Sequence, residues 1–394
     1  MRGPKLEIAR DMGKRFVTQE RAFYRAPTIE SLHKKVALSM QTGPTIGAKA
    51  NTGTWFGCAL PNDFGDWRKE YGYLRESVGV LDKNYRAYLD FTGPDRLRYL
   101  NAILSNNLKD LAPSHGLVSL FLSAQGQIQA EIETYVYAER IFAISFSSIR
   151  ERLVPAIEKY IIMDDVTLAD NTDNFSSLAL DGPRAADCLL ALGGPDISKF
   201  ANLETRDLSL CGCPSRIIRR SPGGIAAIDV IVPRQNSGQM WMILDAVARQ
   251  QGGGPAGYTA LNALRLEQGI PWFSYDFGDK QIPHEAGLQD SHISYVKGCY
   301  TGQEIVERVR SRGHVNRMRV LLKLQTSETP VAGTALFADG REIGHITRSA
   351  FSPVLNAPIA MAYVRREQSP AGSVVGLHSA GSAANASVIA PPLP

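Results

Sequence analysis

Between residues 117 and 146 apolar and polar positions alternate. In LVSLFLSAQGQIQAEIETYVYAERIFAISF three apolar-rich runs are separated by short polar turns, and the alternation is strongest in IQAEIETYVYA. A period of two sends successive side chains to opposite faces, so the segment predicts three strands, each burying one face. In the following SSIRERLVPAIEKYII the period lengthens. Ile149, Leu153, Ile157 and Tyr160 recur at helical spacing, and Ser148 and Glu151 have the spacing of a capping box. Pro155 has no amide proton to give, which predicts a kink there or a later start to the helix. Further on, SRIIRRSPGGIAAIDVIVP predicts a hairpin, and GQMWMILDAVARQ and YTALNALRLEQG predict amphipathic helices, the second ending at Gly269. After about residue 318, short strands punctuated by ADGRE and SPVLNAP predict a small barrel. Strands and helices mix without a regular βαβ rhythm, so the class is α+β.

The 394 residues suffice for two or three cores. Residues 1–50 are polar, basic and weakly periodic and predict a flexible extension, with Met40 an alternative start. Residues 51–317 form the core region, 318–380 the barrel, and the small, uncharged, proline-ended stretch 381–394 predicts a disordered tail. Charge changes this picture little. Nine basic residues stand against four acidic ones before Met40, a surplus of five that exceeds the total net charge of +4 and leaves the remainder at −1. The body is therefore close to neutral, and a global basic field does not argue for nucleic-acid binding. No apolar run approaches the roughly 20 residues that span a bilayer. Five irregularly spaced cysteines fit a reduced, cytoplasmic protein better than a disulfide framework.

The candidate chemistry gathers in YVKGCYTGQEIVERVRSRGH, residues 295–314. Thr301 and Glu304 have capping-box spacing, which starts a helix at Gly302 just after Cys299. A helix N-terminus and the Lys297 ammonium both favour a thiolate at Cys299. The alternative is a small apolar plug beneath a loop, as free cysteines commonly are. Arg308, Arg310, Arg312, Arg317 and Arg319 crowd the far end without interleaved aromatic platforms; a solvated helix-to-strand junction explains them better than RNA, and a folate glutamate tail is a further use.

The KGCYTGQE segment resembles the signature of the YgfZ family, folate-binding proteins related to the glycine-cleavage T-protein, an aminomethyltransferase. LRLEQGIP, IPHEAGL, ALDGP, DVIVP and GTALFADGREIGHITRSAFSP resemble the same family in the same order. The resemblance implies a GcvT-like cloverleaf of three subdomains around a central folate-sized hole, completed by a C-terminal β-barrel. It implies tetrahydrofolate as cofactor and a role in assembling or repairing iron–sulfur enzymes, including those that modify tRNA, so that iron–sulfur client proteins or assembly factors are the implied partners. Lys297 and Cys299 are the implied active residues, with Tyr300, Gln303 and Glu304 completing the motif.

The T-protein's own positions match less well. Its glycine-rich strand with an aspartate pair corresponds to GQIQAEI, where Ala130 and Glu131 stand, so only Glu131 offers a carboxylate. Asp229 keeps a carboxylate in a second folate segment. It is the expected reader of the two-donor pterin edge, which one carboxylate accepts in parallel; a solvated aspartate at a strand end is the competing account. Arg265 and Glu267 match a third segment, with a structural salt bridge the competing account for each. Two other functions stay open beside the YgfZ-type role: a folate-dependent aminomethyltransferase or demethylase using Glu131, and a non-catalytic interaction scaffold.

Overall fold

The structure is a computed structural model that describes residues 50–379 and 382–393; the predicted N-terminal extension lies outside the described residues, Ala50 apart. The described chain opens with a hairpin, β1 (Asn51–Trp55) and β2 (Cys58–Asp63), and helix α1 (Trp67–Glu76). Asp66 caps α1 by accepting from the Arg68 and Lys69 amides. Strands β3 (Gly79–Asp82) and β4 (Arg86–Thr92) then part company, each joining a different sheet.

After helix α2 (Arg96–Ile103) comes the predicted meander: β5 (Gly116–Leu122), β6 (Ile128–Val136) and β7 (Ile141–Phe146). Helix α3 (Arg150–Glu158) and β8 (Thr167–Asp170) complete the first sheet, in the order β5-β6-β7-β4-β8. The Ser148–Glu151 capping box does not form. The chain leaves β7 through a 3₁₀ turn, Ser147–Ile149, so Ser148 is already helical and Ile149 occupies the cap without a side-chain bond. Helix α3 runs on through Pro155, whose missing amide would have bonded the carbonyl of exposed Glu151.

The second sheet takes β9 (Phe175–Asp181), β10 (Thr205–Leu210), β11 (Cys213–Arg220), β12 (Ala227–Pro233) and β13 (Gly254–Pro255), with helices α4 (Ala185–Ala191) and α5 (Ser237–Gln250). Its order is β10-β11-β12-β9-β3-β13, so the first sheet is an excursion made between β3 and β9. Helices cover one face of each sheet over apolar cores. The opposite faces meet through Tyr88, Tyr135, Phe142 and Ile144 of one sheet and Ile218 and Ile231 of the other.

Helix α6 (Tyr258–Glu267) leads into a long irregular stretch, residues 268–302, and then α7 (Gln303–Arg312). The predicted barrel follows: β14 (Arg317–Leu324), β15 (Ala335–Ala338), β16 (Arg341–Ser352), β17 (Ala357–Arg365), β18 (Val374–Ser379) and β19 (Ser382–Ile389), closed in the order β14-β17-β16-β15-β18-β19. The expected disordered tail is therefore corrected, because β19 closes the barrel between β14 and β18. Its small side chains read as low complexity, yet Ala384, Ala386 and Val388 fill the barrel interior. Closure removes the edges that β14 and β18 would otherwise expose. Among the described residues no helix is long and apolar enough to cross a membrane.

Candidate functional site

The alternation in β6 decides which carboxylates meet the space between the sheets. Ile128, Ala130 and Ile132 point into the helix-covered core; Glu131, Glu133 and Tyr135 point the other way. The absence of an acid at position 130 thus takes nothing from the inner face, where Glu131 stands. Glu133 accepts from Nη1 of Arg220 at 2.6 Å and also from Nη2, and Tyr135 donates to it at 3.0 Å.

Arg220, at the end of β11, bonds Asp229 of β12 through Nε. Arg86 reaches the same Asp229 oxygen at 2.6 Å, and Lys83 reaches the other at 3.1 Å. Lys83 also lies 3.2 Å from both oxygens of Asp181. The result is an open chain of alternating charge, Asp181, Lys83, Asp229, Arg220 and Glu133, with Arg86 as a second cation on Asp229. Burial alone would raise the Asp229 pKa, but Arg220, Arg86 and Lys83 outweigh it and hold the carboxyl well below its usual range. Asp229 is 0 % exposed with both oxygens engaged. The expectation that it reads a pterin edge is corrected, because the carboxylate is already saturated by three cations.

Glu131 is differently placed. His292, from the irregular stretch, contacts Oε1 through Nε2 at 3.0 Å, and its Nδ1 lies 2.7 Å from the Ser291 hydroxyl. No other side chain among the described residues bonds the Glu131 carboxylate, which keeps 22 % of the side-chain surface accessible. Arg265, half-buried in the last turn of α6, donates from Nη2 to the Pro271 carbonyl at 3.0 Å, and its pKa is lowered by burial and by the neighbouring Arg348. No hydrogen bond or ion pair joins Glu131 to Arg265 among the described residues.

Glu267, two residues after Arg265, is fully buried elsewhere. Its carboxylate accepts from Tyr71 and Ser352 at 2.5 Å and from the Val354 amide at 3.3 Å, and its carbonyl accepts from Leu393. It ties α1 and α6 to the barrel, so the expected ligand contact is corrected to a structural staple.

The KGCYTGQE segment also rearranges the expectations. The Lys297 ammonium donates to the carbonyls of Asn101, Leu104 and Asn106, at 2.5 Å for Asn101 and 3.0 Å for Asn106. It finishes the C-terminal end of α2, where orphan carbonyls favour a cation. Burial, aided by Lys109, pushes its pKa down to about 8. Its donors are thus spent away from Cys299, which is exposed on the loop, and the picture of one activating the other is corrected.

Tyr300 is a core residue, and Gln303 accepts from its amide at 3.1 Å. Glu304 pairs with exposed Arg308 one helical turn on, and the Thr301–Glu304 capping box is absent, left-handed Gly302 being the cap. Neither Tyr300, Gln303 nor Glu304 faces the Glu131 interior. Arg317 is held by Glu285, and Arg319 by the carbonyls of Ala286 and Gly269, which removes them from a free patch. The side chain of Arg312 lies outside the described residues.

Gly302 is required by contact as well as by conformation. Its φ is +80°, and a Cβ there would lie 2.5 Å from the Ser123 carbonyl oxygen and 2.9 Å from Leu122 Cβ. Gly302→Ala is expected to cost about 2 kcal/mol or more in urea denaturation. Gly298→Ala, where a Cβ meets open space, should stay within about 0.5 kcal/mol. Equal losses would mean that the α7 entry does not need this backbone.

Sequence reasoning missed Lys83, Arg86, Glu133, Asp181, Arg220 and His292. Only Glu133 carried a signal, two positions from Glu131 on a strand and so on the same face. The others arrive from separate strands and loops.

The comparisons agree with this architecture. The GCVT N-terminal domain profile matches residues 44–291, and the glycine cleavage T-protein C-terminal barrel domain matches residues 317–393. An aminomethyltransferase of Streptomyces avermitilis is 24% identical over 372 residues, covering 93% of this chain and 97% of that protein. One of Koribacter versatilis is 26% identical over 375 residues, covering 92% and 96%. The crystal structure of glycine cleavage system aminomethyltransferase T from Bartonella henselae superposes with a TM-score of 0.79 at 22% identity, covering 90% of this chain and 96% of that one, a likeness of fold. With the N-terminal domain profile spanning more than half of its length, the chain belongs to the GCVT family of glycine cleavage T-proteins.

Proposed function

We propose that this chain is a cytoplasmic, folate-dependent one-carbon transferase of the aminomethyltransferase kind, with Glu131 as its proton acceptor. The observation that carries the reading is the contrast among the inner carboxylates. Asp181, Asp229 and Glu133 are neutralised by lysine or arginine, whereas Glu131 meets only His292 and stays accessible. Tetrahydrofolate, as acceptor, supplies the nitrogen that bonds the carbon. As that bond forms, the donor's own bond to the carbon breaks and its electron pair stays with the leaving group, while the nitrogen's proton passes to a carboxylate within reach. His292 fixes the orientation of Glu131. The pterin edge has no free acceptor at Asp229, both of whose oxygens are held by cations.

A YgfZ-type role in supporting iron–sulfur enzymes, and through them tRNA modification, retains one favourable observation: Cys299 is exposed within its signature loop. Incubation with tetrahydrofolate and an aminomethyl or methylamine donor separates the two. Catalytic formation of methylene- or methyl-folate, kept in Cys299→Ala, is the expected result. No turnover, together with failure of Cys299→Ala to restore iron–sulfur enzyme activity in a strain lacking the gene, would favour the second reading.

A further inference from the structure

A cavity of about 760 Å³ opens where the starts of β4 and α3, the β8–β9 connection and the end of β12 meet. None of Glu131, His292 and Arg265 lines it, but three arginines do: Arg86, Arg150 and Arg234. Each is fixed by the protein through part of its guanidinium. Arg86, only 9 % exposed, spends Nη1 on Asp229. Arg150 bonds Asp170 through Nε and Asp173 through Nη2, the latter at 2.9 Å. Arg234 donates from Nε to the Asp173 carbonyl at 2.7 Å and from Nη2 to the Thr172 carbonyl at 3.1 Å. Among the described residues nothing bonds Nε or Nη2 of Arg86, or Nη1 of Arg150 and Arg234.

Arg86 is the least compensated cation of the network between the sheets. It shares Asp229 with Lys83 and Arg220, each of which has a second carboxylate in Asp181 or Glu133. A buried guanidinium with N–H groups left over is costly. The start of α3 adds donors to the same cavity, because the chain enters the helix through Ser147–Ile149 without a side-chain cap and leaves its first amides to solvent or to a ligand. The acids of the lining take little of this. Asp170 and Asp173 are held by Arg150, and Glu151 is exposed.

We propose that this cavity is an oxyanion site, in which Arg86, Arg150 and Arg234 hold the phosphate or carboxylate group of a small organic molecule other than folate. Both groups present paired oxygens that match the parallel N–H donors of a guanidinium. The volume is that of a site for an organic molecule rather than for a bare ion, and Val154, Pro155 and Phe175 give its carbon body an apolar wall. Because Arg86 also bonds Asp229, occupancy supports the network that joins the two sheets. The site stands independently of the one-carbon-transfer reading.

Calorimetric titration of the full chain at constant ionic strength tests it, with inorganic phosphate, glycerol 3-phosphate and succinate as probes. Glycerol 3-phosphate or succinate should bind saturably and more tightly than inorganic phosphate, the tighter of the two naming the oxyanion. Arg150→Gln and Arg234→Gln should each weaken that binding about ten-fold or more, the effect of losing a charge-assisted hydrogen bond. Glu151→Gln, which removes an acid from the lining, should leave it unchanged or tighter. A saturating probe should also raise the melting temperature of the parent chain and not that of the two arginine variants. Arg234 is exposed and bonds carbonyls, so if Arg150→Gln melts early without ligand, Arg234→Gln alone decides. Absence of saturable binding overturns the proposal, as does affinity unchanged by the arginine substitutions or lost equally in Glu151→Gln. Displacement of the bound probe by tetrahydrofolate would make the cavity a subsite for folate's own carboxylates and overturn it too.

Discussion

Asp229→Ala is expected to lose about 3–5 kcal/mol of stability, enough to unfold much of the population under conditions where the parent chain is native. The substitution removes little volume but strips Lys83, Arg86 and Arg220 of the carboxylate they share. Lys83 would retain Asp181 and Arg220 would retain Glu133, whereas Arg86 would keep no carboxylate. Asp229→Asn keeps the shape and two acceptor lone pairs but not the charge, so its loss should be smaller and still clear. Equilibrium unfolding in urea measures both. A cost below about 1 kcal/mol for the alanine variant would show that water or a shifted backbone takes over from the carboxylate.

The same network sets an acid limit. Folded Asp229 and Glu133 have pKa values below their ordinary ones, because burial, which would raise them, is outweighed by Arg220 and Arg86, with Lys83 adding to the effect on Asp229. A depressed folded pKa contributes stability that is present above the unfolded value, about 4, and is lost as pH falls toward the folded one. Asp181 runs the other way: burial outweighs Lys83 and raises it, so its ionisation weakens the fold as pH climbs through that raised value. The steep loss below about pH 4 therefore belongs to Asp229 and Glu133.

The network also explains where the sequence could be read and where it could not. The meander β5–β7, the β11–β12 hairpin, α5 and α6 were all legible, because one strand face or one helix stripe meets an apolar core and the period survives in the residue order. The carboxylate pair Glu131 and Glu133 was half legible for the same reason. The surroundings of Asp229 were not. Lys83 and Arg86 lie 146 and 143 residues away from it, and they meet it because β3 and β4 enter different sheets whose inner faces are then pressed together. Lys297 misled in the opposite sense. It is two positions from Cys299 in the chain, but an irregular backbone turns its ammonium to the end of α2, 191–196 residues away in sequence. Nor could β19 be read from its residues, since alanine and serine form a strand there because a barrel edge needs closing.

Glu131→Gln is expected to lower kcat for one-carbon transfer by about 10²–10⁴-fold, the range set by loss of a positioned general base. The amide is nearly isosteric, and its oxygen can still receive an N–H from His292, so the stability change should stay within about 1 kcal/mol and tetrahydrofolate affinity within a few-fold. What disappears is the ability to take a proton from the reacting nitrogen. A defect in kcat with KM preserved assigns the residue to the transition state, whereas an equal rise in KM would make it a binding group. His292→Gln should cost less, since it removes the orienting partner and leaves the carboxylate. Methylene- or methyl-folate formation, followed by chromatography at saturating donor, reads all three chains. If Glu131→Gln retained a third or more of the parental rate, proton transfer would have to belong to another group. Asp181, Asp229 and Glu133 are not free to take it, because each is held by at least one lysine or arginine.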